Sequence, residues 1–228
     1  MGSLSIDDRL VGALAAIGVG TLAAVALIHT DPETLKRVSE IALSEYSEKY
    51  MANCEFGSLD KVPRIDGEYG LDFVDSDLPI INPNKGQFGE YNCEFCVSAL
   101  AMRVKGYDVV AAGADASLPP TLTTDFFKGA KISAVGASGY KNIFEKLSAE
   151  GEGSYGSLGV YKNSKNAPGH NLFWMVKDGR VRILDPQKNK EYSEVSIREL
   201  KINPSQCIFS NLTECEPTNY VVGALKSR

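Results

Sequence analysis

Three side chains of the 228-residue sequence are of the types that transfer acyl groups: the thiol of Cys93, the imidazole of His170 and the carboxylate of Asp185. An imidazole serves as general base and then general acid only when its tautomer is fixed, and a carboxylate on its second nitrogen fixes it. Two histidines are present, and His29 lies in the N-terminal segment, so histidine chemistry further along the chain must use His170. The dipeptide Asp178-Gly179 separates two strand-like runs, which is the signal of a two-residue hairpin turn. With these as the central turn residues, Lys177 faces Arg180, Leu172 faces Asp185 and His170 faces Gln187. Side chains alternate along a strand, so His170, Asp185 and Gln187 share one face. His170 and Asp185 are then diagonal neighbours, roughly 7–8 Å apart, which long side chains bridge. Gln187 is placed to donate a hydrogen bond to the imidazole or to a developing oxyanion. A plainer reading stays open at this point: His170 as a loop residue satisfied by water, and Asp185-Pro186 as the start of a turn.

The nucleophile depends on a helix. Cys93, Cys96, Val97, Leu100 and Val104 fall on one helical face, Asn92 is a favourable N-cap, and Gly106 a favourable stop. A thiol in the first turn meets unpaired backbone N–H groups and the positive end of the helix dipole, both of which favour the thiolate. The N–H of Cys93 and the amide of Asn92 are candidate oxyanion donors. Cys96 lies one turn deeper and reads as a buried core thiol, although it is a second candidate nucleophile. Cys93-x-x-Cys96 also has the spacing of half a zinc site. The further candidates, Cys54, Cys207, Cys215 and His170, are scattered, so no metal or other cofactor is expected. A thioredoxin-like role lacks the βαβ pattern around the motif.

These residues need elements to carry them. The pattern predicts helices from Asn92 to Gly106 and from Tyr140 to Ala149. It predicts strands at Val109–Ala111, Ser157–Lys162, His170–Val176 and Arg180–Asp185, then a short helix near Ser196–Leu200 and strands around Ile208 and Val221. Helices first and an antiparallel sheet afterwards is an α+β arrangement. Upstream, Leu10 to Ile28 is an apolar run broken only by Thr21. It reads as a membrane-contacting segment or as a buried helix rich in small residues. A capped helix follows from Thr30 to about Tyr50. The chain thus divides into an N-terminal helical region (1–56), a Gly-, Pro- and Asp-rich linker or loop (57–88) and a catalytic domain (89–228). The net charge of −5 and pI near 5.2 argue against nucleic acid as a partner. Five cysteines, an odd number in a chain long enough for a sizeable core, fit a reducing compartment better than a disulfide scaffold.

The stretch Asn92-Cys93-Glu94-Phe95-Cys96-Val97, continuing to Gly106-Tyr107-Asp108-Val109, resembles the cysteine helix of papain-fold bacterial toxins of the glutamine deamidase type. Gly169-His170, Asp178-Gly179 and Asp185-Pro186-Gln187 resemble the second half of that family's signature, and the likeness covers roughly Gly89 to Tyr192. It implies a papain-like fold and a polymorphic toxin or effector, a bacterial or phage product acting in the cytoplasm of a target cell. The reaction implied is deamidation of a glutamine side chain on a target protein, with Cys93 attacking, His170 exchanging the proton and Asp185 orienting it. Gln187 occupies the family position just after the aspartate. A cognate immunity or inhibitor protein is a further implied partner. A cysteine protease or transglutaminase would use the same thioester, and a non-catalytic binding module would keep the same fold.

Overall fold

The structure, a computed structural model, describes residues 56–57, 59–83, 92–113, 123–161, 169–218, 220–221 and 225–227. The apolar run 10–28 and the helix expected over 30–50 lie outside them. Among the described residues no helix is long and apolar enough to cross a membrane. In chain order the elements begin with β1 (Phe56–Gly57), α1 (Val74–Asp77), α2 (Cys93–Val104), β2 (Val109–Ala111), β3 (Phe127–Lys128), β4 (Ser133–Ala134) and α3 (Tyr140–Ser148). They continue with β5 (Tyr155–Val160), β6 (His170–Lys177), β7 (Arg180–Asp185), β8 (Lys190–Tyr192), β9 (Ile208–Asn211), β10 (Glu216–Pro217), β11 (Tyr220–Val221) and β12 (Leu225–Ser227). Strand β5 starts and ends two residues earlier than the pattern suggests.

Six strands form one sheet in the order β4-β9-β5-β6-β7-β8, every pairing antiparallel. An antiparallel sheet with one wet face would show alternating polarity. Strand β6 does not: Leu172, Phe173, Trp174, Met175 and Val176 are all buried. The cause is a cover on each face. Phe173 and Met175 join a cluster with Phe95, Leu100 and Met102 of α2. Leu172, Trp174 and Val176 join one with Ile143, Phe144 and Leu147 of α3. Trp174 keeps its indole N–H satisfied by donating to the carbonyls of Ser157 and Ser210, at 3.1 and 3.2 Å.

Helix α2 is the central element of its layer. Every residue from Phe95 to Val104 is buried, so the single apolar stripe seen in the sequence is only part of the packed surface. A helix buried all round must satisfy its polar side chains internally. Ser98 donates to the Glu94 carbonyl at 2.8 Å. Arg103 gives its Nε to Asp77 at 2.8 Å and an Nη1 to Asp108. The helix ends at Gly106, whose φ of 85° favours glycine and where a Cβ would meet the Tyr69 ring at 2.9 Å.

Residues 59–83, which the sequence suggests as a linker or loop, pack on α2. Val62, Val74, Leu78 and Ile81 enter the same cluster as Phe95 and Leu100. Their backbone is tied in as well: Ile65 N–H donates to Gly106, Asp108 N–H to Pro63 and Ala111 N–H to Ile81. The apolar residues here follow neither a helical nor a strand period, so the pattern shows nothing; the packing comes from the partner, α2.

Arg103 lies 4% exposed between two carboxylates, and Asp77 beside it is 9% exposed. Arg103→Met leaves Asp77 buried without its counter-ion, which costs about 3–5 kcal/mol. A urea unfolding midpoint would register this loss, and Asp77→Asn added to Arg103→Met should restore part of it. An unchanged midpoint for the single variant would show that the buried pair contributes nothing.

Candidate active site

The β6–β7 hairpin carries two of the three chemical groups. Lys177 pairs with Arg180, and the register runs out to Phe173 opposite Leu184. The turn residues Asp178 and Gly179 have φ of 53° and 69°, the two positive values a type I′ turn requires. The Glu152 carboxylate holds this turn by accepting both N–H groups, at 2.8 and 3.0 Å. At the other end of the hairpin the diagonal pair meets: His170 Nε2 and Asp185 Oδ2 are 2.7 Å apart. Asp185 is fully buried. Its Oδ1 accepts the Lys188 N–H at 3.1 Å, and the Lys188 ammonium stands 3.9 Å from Oδ2. With Nε2 engaged by the carboxylate, Nδ1 is the ring nitrogen left for proton exchange. Burial, followed by the charge of Asp185, pushes the nearby Tyr192 phenol up to about 12.

Cys93 opens α2 at the tip of the helix. Its thiol meets the backbone N–H of Asn171, one residue past the imidazole, and that of Glu94. The resting charge is not the one the helix tip suggests. Burial above all, and the charge of Glu94 next, push the thiol up to about 12. Two N–H contacts and the helix end do not offset the loss of water. The resting group is therefore a neutral thiol, which must lose its proton during attack. Cys96 is fully buried one turn deeper, and burial raises its thiol too. Cys93, Cys96, Cys207 and Cys215 are all free thiols. Among the described residues no group of three His, Cys, Asp or Glu side chains is placed to hold a metal.

Asn92 and Gln187 are placed differently from expectation. Asn92 precedes α2 but makes no side-chain cap. Its buried amide donates to Asn82 Oδ1 at 3.0 Å and to the Ala112 carbonyl at 2.7 Å, so the amide is committed to structure and is not an oxyanion donor. Gln187 donates to Asn92 Oδ1 at 3.2 Å instead of reaching the imidazole. Strand β7 stops at Asp185 because Pro186 starts a turn, and the chain then swings toward the start of α2. The Gln187 carbonyl accepts from Asn82 at 3.1 Å. These amides tie the hairpin's end to the helix tip. Of the two candidate oxyanion donors, the backbone N–H of Cys93 at the helix tip is the one not committed elsewhere by a side-chain contact.

A second polar cluster flanks the thiol and was not anticipated. Glu94 Oε2 accepts from the Thr123 N–H and hydroxyl, both at 2.9 Å, and from Asn171 Nδ2 at 2.7 Å. Asn171 also donates to Thr123 Oγ1 at 2.8 Å. Burial raises the Glu94 carboxyl above its usual range. One signal was available: Asn171 is the polar residue inside an apolar strand buried on both faces.

An antiparallel sheet covered by a cysteine-bearing helix, with histidine and aspartate on its central hairpin, defines the papain-like α+β class. Residues 91–190 match the family model described as papain fold toxin 1, glutamine deamidase. The match contains α2 and the whole β6–β7 hairpin. A solved structure of the Salmonella effector SpvD, in a variant form, superposes with a TM-score of 0.44 at 9% identity, covering 84% of this chain and 97% of that one. No curated protein matches the chain.

A thiol raised to about 12 should be alkylated slowly at neutral pH. Iodoacetamide labelling of Cys93, followed by peptide mass spectrometry, should speed up about tenfold per pH unit above neutrality. A rate that levels off between roughly pH 5 and 8 would instead reveal a thiolate–imidazolium pair.

Proposed function

We propose that the protein is a toxin or effector that deamidates glutamine side chains of a target protein through Cys93, His170 and Asp185. The observation that carries this reading is the family match over 91–190. The 2.7 Å contact of His170 with Asp185 supports the roles assigned within it. His170 Nδ1 takes the Cys93 proton as Sγ attacks the carboxamide carbon. The oxyanion forms against the Cys93 N–H, and the imidazolium gives its proton to the departing nitrogen, which leaves as ammonia. Water, deprotonated by the same imidazole, then hydrolyses the thioester to glutamate and returns the thiol. Asp185 holds the tautomer and stabilises the imidazolium while remaining ionised. The target protein is the partner this chemistry requires, and a cognate immunity protein is a further partner of the reading.

Incubation of the full chain with a cell lysate, followed by mass spectrometry, tests the assignment. Glutamate should appear at particular glutamines with the wild type, vanish with Cys93→Ser and His170→Ala, and form at least about a hundredfold more slowly with Asp185→Asn. New chain ends would reassign the reaction to proteolysis, and new crosslinks to transglutamination. Activity that survives Cys93→Ser but not Cys96→Ser would move the nucleophile one turn down the helix.

A further inference from the structure

Two side-chain hydrogen bonds join the β6–β7 hairpin to the tip of α2, one on each side of the thiol. On one side Gln187, two residues past Asp185, donates to Asn92, which precedes Cys93. On the other Asn171, which follows His170, donates to the carboxylate of Glu94, which follows Cys93, at 2.7 Å. The bond from the imidazole to Asp185 stays within the hairpin, so it holds the ring against β7 and leaves its distance from α2 open. Asn171 lies on the same face of β6 as Phe173 and Met175, which pack on α2. At this end of the strand, its side chain reaches the helix.

The link between Asn171 and Glu94 is held at both ends. Asn171 Nδ2 spends its two hydrogens on Glu94 Oε2 and on Thr123 Oγ1, at 2.7 and 2.8 Å. Glu94 Oε2 also accepts the Thr123 N–H and hydroxyl, both at 2.9 Å. Asn171 and Thr123 are buried, where bonds to a carboxylate are strong and a lost partner is costly. The carboxylate opposes the chemistry in one respect: after burial, its charge is the largest influence pushing the Cys93 thiol up. An acidic residue that served only the helix end could stand elsewhere in the first turn, away from the sulfur. What Glu94 supplies from its place beside the sulfur is a fixed line from α2 to the residue after the base.

We propose that Glu94 is a positioning residue: through Asn171 it sets the distance between the Cys93 thiol and the His170 imidazole, so that the proton can pass as the sulfur attacks. The backbone joins Glu94 to Cys93 and Asn171 to His170, and the 2.7 Å bond closes the path between them. Thr123 keeps the carboxylate turned toward β6. Glu94 takes no part in the proton transfer itself. A misplacement of about 1 Å between reacting groups lowers a rate about a hundredfold. The proposal rests on the deamidase reading for the roles of Cys93 and His170.

The test measures how much the imidazole assists the thiol, in the full chain and without a substrate. Cys93 is alkylated with iodoacetamide at neutral pH and the modified peptide is followed by mass spectrometry, for each form with His170 and with His170→Ala. The ratio of the two rates isolates the imidazole, because a change in the burial or charge of the thiol alters both rates alike. In the wild type a ratio of about ten or more is expected. Glu94→Ala should bring it to about one, and Glu94→Gln, whose amide oxygen can accept from Thr123 and Asn171, should keep at least about half of it. Asn171→Ala leaves Glu94 with both Thr123 donors and should lower the ratio about threefold or more. This milder variant decides the matter should Glu94→Ala fail to fold. A merely structural role would change both rates together and leave the ratio as it was. A wild-type ratio near one, or a ratio unchanged in Asn171→Ala, overturns the proposal. Glutamate formation in a lysate reads the deamidase separately. Glutamate with an unchanged ratio overturns the positioning role alone. A ratio that collapses in the variants, without glutamate from the wild type, overturns the deamidase reading and leaves the placement of thiol against imidazole standing.

Discussion

A carboxylate with no access to water must be held by hydrogen-bond donors, and Asp185 imposes this condition at the end of the central hairpin. Besides the Tyr192 hydroxyl, two donors decide its surroundings, the His170 ring and the Lys188 backbone N–H. The first needs β6 and β7 in one register, since a slip of one residue would turn Asp185 to the opposite face. The second needs the chain to bend at once after Pro186. The I′ turn at Asp178-Gly179, clamped by Glu152, holds the first condition. The bend after β7 meets the second, and the same bend brings Gln187 to Asn92 at the tip of α2. The satisfaction of one buried charge thus sets the alignment of strand against strand and of hairpin against helix.

The remaining buried polar groups follow the same logic. Arg103 in the middle of α2, Asn92 before it, and Glu94 with Asn171 beside it are each enclosed, and each finds partners close by. Apolar packing on both faces of the sheet supplies the core, but packing alone would let α2 slide or rotate. These directional contacts fix where its first turn lies, and so where the Cys93 sulfur lies relative to β6.

The legible parts of the sequence were those decided locally. Asp178-Gly179 dictates the turn by its φ preferences, and the His170–Asp185 contact follows by counting along two strands. The limits of α2 follow from its spacing and from Gly106. What depended on distant neighbours was not legible. The state of the Cys93 thiol is set by enclosure between Asn171 and Glu94, which outweighs the helix end it was expected to feel. Gln187 bonds to Asn92 because of a bend, which alternation along a strand cannot express. Residues 59–83 are ordered by α2 and carry no period of their own. Asn171 and Glu94 are far apart in sequence, and neither alone signals the cluster they build.

The enclosure of α2 on all sides has a consequence for the order in which the molecule assembles. A helix of twelve residues is marginal in water by itself, and this one has no polar face to stabilise it before it docks. The hairpin, whose contacts are local, closes early, on the order of microseconds. Loop-closure entropy delays the arrival of α2, because its partners on β6 lie some seventy residues away in the chain. Imidazole and carboxylate are therefore joined while the thiol is still distant. A form of the chain with the hairpin closed and α2 undocked therefore holds imidazole and carboxylate together while the Cys93 sulfur stays apart from both.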